Sequence, residues 1–124
     1  MEGVEITVTY ETLFELLRLE KSRSELQKLS PTFFVDVSSY VADKQAILSE
    51  TEKKNDLFAS AEREKIKVQL DNIRRLIKDL YDRREQKILL VAVNKSKTGS
   101  DIIDTGAMLK EERMLFEDFV LLLD

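Results

Sequence analysis

The side chains in this sequence that could do chemistry are mostly carboxylates. Asp79 and Asp82 form one D-x-x-D, and Asp101 and Asp104 form another. Paired carboxylates are the oxygen donors a divalent cation such as Mg²⁺ would take. Their neighbours favour a plainer reading. Asp79 stands four residues before Arg83, and Asp71 four before Arg75, which on a helix is the spacing of surface ion pairs. The chain has no Cys and no His. It therefore lacks the commonest general base and metal ligand, and no Ser–His or Cys–His nucleophile pair can be assembled. With only 3 Gly there is no glycine-rich phosphate loop. The expectation is no catalytic, cofactor or metal site.

A second set, Arg74, Arg75, Lys78, Arg83, Arg84 and Lys87, invites a nucleic-acid reading. These cations are interleaved with Asp71, Asp79, Asp82 and Glu85, and no aromatic platform accompanies them. A net charge of −4 also opposes a polyanion. Direct nucleic-acid contact is expected to be weak or absent, and the set reads as a solvated, salt-bridged face. No apolar run approaches the ~18 residues of a membrane span, and the acidic start is unlike a signal peptide. The absence of cysteine suits a reducing cytoplasm.

These residues must be positioned by helices. A chain of 124 residues is long enough for one domain with a core, and 3 Gly with 1 Pro leave too few turn-formers for a many-stranded sheet. The organising segment runs from Ala61 to about Ser96 without Gly or Pro. Its apolar residues Ile66, Leu70, Ile73, Ile77, Leu80, Ile88 and Val91 recur at steps of three and four, one face of a helix. That helix would be roughly 50 Å long, against a radius of gyration of about 14 Å for a compact domain of this length. It is expected to overhang its own domain and to need another chain.

Before it, Val4, Ile6 and Val8 alternate with polar residues over a short extended lead-in. Thr9 is placed to cap a helix from Tyr10 that buries Leu13, Phe14, Leu16 and Leu17. Ser22 to Glu25 fits an S-x-x-E capping box, predicting a short turn that carries Leu26 and Leu29. Ser30-Pro31 reads as a helix start for a segment reaching about residue 49. The polar stretch Ser49–Asp56 reads as a connection, with Leu57 and Phe58 tucked against the long helix and Ser60 as its cap. Asn94–Gly106 reads as a second loop, and Thr105 as the cap of a last helix from Ala107 to Leu123 with a broad apolar stripe. The expected fold is all-α, four to five helices organised on one long central helix.

Two features exceed a simple core face. Arg84 falls at the centre of the long helix's apolar stripe, so it either lays its stem over neighbours with its head in water or makes a buried or interfacial ion pair. Ile88 to Val93 is apolar on every side of the helix, which the chain's own first and last helices or another subunit must enclose.

The segments Thr9-Tyr10-Glu11-Thr12-Leu13, Glu20 to Leu29 and Pro31-Thr32-Phe33-Phe34 resemble the archaeal GINS replication proteins. So do Ile73 to Leu89, with the pattern L-Y-x-x-R-x-x-K-I at residues 80 to 88, and the tail Met108 to Phe116. The resemblance covers nearly the whole chain as an ordered set of helices, of the type whose helical domain precedes a small β domain. That β domain is absent from the 124 residues, so the chain is expected to be the helical domain alone. The resemblance implies a non-catalytic scaffold that assembles with other GINS subunits, as a homo- or heterotetramer, beside the MCM helicase and a RecJ-like or Cdc-type protein. It implies a cytoplasmic, nucleoid-associated setting. Helices 61–96 and 107–123 would supply the contacts, with Tyr81, Arg84, Lys87, Ile88, Leu89, Leu90, Val93, Phe116, Phe119 and Leu123 as interface candidates. The alternative is a stand-alone helical adaptor or oligomerisation module. The heptad-like run Ile66 to Leu80 favours it but breaks at Arg84.

Overall fold

A computed structural model describes residues 7–99 and 105–124 of the chain. Among them lie four helices and no strand: α1 (Tyr10–Ser22), α2 (Phe33–Glu52), α3 (Leu57–Thr98) and α4 (Lys110–Leu123). The fold is all-α and is built on α3, against which each of the other three helices packs. At 42 residues α3 is about 60 Å long. The extended lead-in expected over Val4 to Val8 falls largely outside the described residues.

The helix starts are set by local hydrogen bonding. Thr9 begins α1 as a reciprocal capping box: its Oγ1 accepts the Thr12 N–H at 3.2 Å, and Thr12 Oγ1 accepts the Thr9 N–H at 2.7 Å. The next box, at Ser22–Glu25, does not form; Ser24 Oγ instead donates to Glu25 Oε2. Residues 23–30 carry no helical turn. Their backbone groups are taken by side chains from α3 and α1: Lys87 and Arg84 donate to the carbonyls of Glu25 and Gln27, and Glu20 accepts the Gln27 N–H. With its polar groups satisfied from outside, the segment has no need to coil. Leu29 is buried all the same, and Leu26 half-buried.

α2 starts two residues beyond the expected Pro31, because Ser30 and Pro31 are spent in a turn closed by the Phe33 N–H on the Ser30 carbonyl at 2.9 Å. α3 starts earlier than expected: Asp56 Oδ1 accepts the Ala59 N–H at 2.6 Å, so Asp56 and not Ser60 is its cap. Leu57 and Phe58 then lie in the first helical turn and are each 88% exposed, not tucked in. α3 also runs past Ser96 to Gly99, whose φ of 65° ends it in the left-handed region while its N–H bonds the Lys95 carbonyl at 2.8 Å. The cap of α4 comes from within: Glu112 accepts the Leu109 N–H at 2.8 Å, while Thr105 closes a preceding turn through its carbonyl.

The contacts fix helix directions. Phe34 stacks on Tyr81, Gln45 bonds Arg74 and Thr51 bonds Arg63, so α2 runs antiparallel to α3. Arg84 meets Glu112 and Ser96 meets Asp124, both pairs 28 apart in sequence, so α4 runs parallel to the second half of α3. Tyr10 lines a cleft with Ile73, and Glu20 meets Arg84 and Lys87, so α1 is parallel to α3 as well. The core is three apolar groups strung along α3. Leu48, Ile66 and Leu70 form the first, and Leu13, Leu17, Leu29, Phe33, Val37, Ile73, Leu80 and Leu109 the second. Ile88, Ala92 and Phe116 form the third. Arg84 stands between the second and third.

Candidate interaction surface

Arg84 is 1% exposed, and its stripe position puts its head where α1, the 23–30 segment and α4 converge. All five of its N–H donors are used. Nε and Nη2 grip the two oxygens of Glu112, each at 2.7 Å, a bidentate fork. Nη1 donates to Glu20 Oε1 at 2.8 Å and to the Gln27 carbonyl at 2.6 Å. Nη2 completes the set on the Ala107 carbonyl at 3.1 Å. Lys87 Nζ reaches the other Glu20 oxygen at 2.6 Å and also the Glu20 and Glu25 carbonyls. Two cations thus face two carboxylates with nothing left over. Burial would push the Glu20 carboxyl up, but the hydrogen bonds from Lys87, the Gln27 amide and Arg84 outweigh it and hold the group below its usual range. Burial would likewise lower Arg84, but Glu112 and Glu20 carry its pKa above the ordinary value. Of the two readings open for Arg84, the structure takes the buried ion pair, and it makes it within the chain.

The other interface candidates divide in the same way. Ile88 and Phe116 are buried in the chain's own third apolar group, where Phe119 and Val91 pack against them. Tyr81 is half-buried against the Phe34 ring, centroids 4.9 Å apart, and burial together with Glu112 and Glu111 pushes its phenol up to about 12. Leu89 and Val93 are half-buried. Leu90 and Leu123 are exposed.

The surface that stays apolar and open was only partly legible. α4 buries Glu112 and Phe116 on one side, yet Leu121 and Leu122 are each 78% exposed, and Met114 and Leu115 are exposed too. At ~100° per residue Met114 aligns with Leu121 and Leu115 with Leu122, so α4 carries apolar residues on two sides. The heptad spacing of those pairs was the available signal. Leu115 shares a cleft with Tyr81, Glu85 and Phe34, which places it on the flank of α3 where Leu89 and Val93 follow. The result is an apolar two-helix face at the end of α3 and α4. Sequence reasoning also missed Glu20 and Glu112. Their signal was a carboxylate on each apolar stripe, at Leu13-Leu17-Glu20 and Leu109-Glu112-Phe116.

Asp79, Asp82, Arg74, Arg75 and Lys78 are exposed as expected. Among the described residues, however, neither Asp79–Arg83 nor Asp71–Arg75 closes to an ion pair. Asp101 and Asp104 lie outside the described residues. No helix among the described residues is long and apolar enough to cross a membrane. Neither a protein-family profile nor a curated protein matches the chain.

Proposed function

We propose that this chain is a non-catalytic scaffold subunit of the GINS type, acting in chromosomal replication by joining other subunits through the face formed by α4 and the end of α3. One observation carries this reading: α4 still presents Leu121 and Leu122 to solvent after its inner side has been used for the core. An apolar patch rimmed by charge is what a protein–protein contact uses. The segment that most resembles GINS supports it in a second way. Leu80 and Ile88 of its L-Y-x-x-R-x-x-K-I pattern are core, Tyr81 stacks, and Arg84 and Lys87 hold the buried network. The partners implied are other GINS subunits and, through them, an MCM helicase and a RecJ-like or Cdc-type protein.

The test is sedimentation of the chain at micromolar concentration, alone and with a partner GINS subunit. Association is expected, and Leu121→Asp with Leu122→Asp should abolish partner binding while far-UV circular dichroism stays unchanged. A chain that stays monomeric beside every partner subunit, or a double variant that binds like the parent, overturns the proposal.

A further inference from the structure

α1, α2 and α4 all pack on one side of α3 and leave its outer side uncovered. Val68, Asp71, Arg75, Asp79, Arg83 and Leu90 are all exposed there. Four of these form a single ridge at steps of four, Asp71-Arg75-Asp79-Arg83, with charges alternating minus, plus, minus, plus. The four charges have no ion-pair or hydrogen-bond partner within the described chain. Read backwards, the same ridge has the opposite signs at each place. It is complementary to an antiparallel copy of itself.

From this we infer that the outer face of α3 is a two-fold interface with a second copy of this chain, registered by Asp71 on Arg83 of the partner subunit and Arg75 on Asp79 of the partner subunit. The two-fold makes each contact twice. The register is selective, because a four-residue slip brings Asp71 onto Asp79 of the partner subunit. Its centre falls level with Ile77, close to the midpoint of Leu57–Thr98, and seating one such ridge against the other crosses the two α3 helices at about 50°. The inference deepens the assembly reading by naming a second copy as occupant of a different face, and it uses none of the α4 leucines.

The experiment is a charge swap in the full chain. Arg75→Glu with Arg83→Glu makes the ridge wholly acidic, and Asp71→Arg with Asp79→Arg makes it wholly basic. Each variant alone is expected to self-associate at least about tenfold more weakly than the parent, a change worth about 1.4 kcal/mol, with helicity retained. An equimolar mixture should restore association as a mixed dimer that weakens with added salt. Parent-like self-association of either variant, a mixture that stays monomeric, or a monomeric parent each overturns the inference. The two proposals fail separately. The Leu121→Asp, Leu122→Asp variant should keep the α3 dimer while losing the partner subunit, whereas the charge-swap variants should still bind the partner subunit.

Discussion

Arg84→Ala is the substitution with the largest expected cost, and its size follows from the contacts. The guanidinium is 1% exposed and makes two buried ion pairs, with Glu20 and Glu112. Removing one member of a buried charge pair costs about 3–5 kcal/mol, because the partner stays behind uncompensated. Here the partners fare unequally. Glu20 keeps Lys87 and the Gln27 amide, while Glu112 keeps only the Leu109 N–H. The Gln27 and Ala107 carbonyls also lose their side-chain donor, at about 1–3 kcal/mol each wherever water does not replace it. A loss of at least about 4 kcal/mol is expected, set against a total of about 5–15 kcal/mol for an ordinary domain. Urea unfolding followed by far-UV circular dichroism measures it. The complementary variant, Arg84→Met with Glu112→Leu, removes the carboxylate that depends on Arg84, leaves Glu20 paired with Lys87, and should recover part of the loss. A loss below about 1 kcal/mol for Arg84→Ala, or no recovery in the double variant, would refute the reasoning.

The remaining expectations are smaller and more local. Because the Glu20 carboxyl lies below its usual 4.5, the stability it contributes is complete above about pH 4.5 and drains away as pH falls through the lower folded value. Glu20→Gln should therefore be less stable than the parent near neutrality and converge on it in acid; a gap that stays constant down to about pH 3 contradicts this. Phe116→Ala should cost about 3–5 kcal/mol from its 4% exposed site, while Leu122→Ala should cost under about 0.5 kcal/mol in the free chain. Equal costs in urea unfolding would mean the two sides of α4 have been assigned wrongly. Asp56→Ala should cost about 1 kcal/mol and release amide-exchange protection in the first turn of α3 only. Loss of protection near Leu80 would contradict a purely local cap.

The long helix was legible because periodicity is a property of the segment itself: Ile66, Leu70, Ile73 and Leu80 are all buried where their spacing puts them. The boundaries misread were those decided by competition between caps. Ser60 and Asp56 are both competent, and Asp56 prevails because it stands one residue before Leu57 and meets the Ala59 N–H. The Ser22–Glu25 box is a sound local signal that loses to long-range donors, Lys87 and Arg84, that no local reading sees. Leu57 and Phe58 show the converse error. Apolar residues are expected to find cover, yet these two stand in the first turn of α3 on the side away from buried Ala59, each 88% exposed.

The buried network also bears on how a fold with so few long-range constraints settles on one arrangement. α1 and α4 both run parallel to α3, and α4 has apolar residues on two sides. Apolar contact alone would tolerate α4 rotated to bury Leu121 and Leu122, or slipped by a turn along α3, with similar area removed from water. Glu112 and Arg84 do not tolerate either change, since a bidentate fork is lost within an ångström or two and leaves two charges buried. Glu20 and Lys87 impose the same condition on α1. The four charges therefore choose among packings that hydrophobicity leaves nearly equal. The packing they choose is the one that turns Leu121 and Leu122 of α4 outward to solvent.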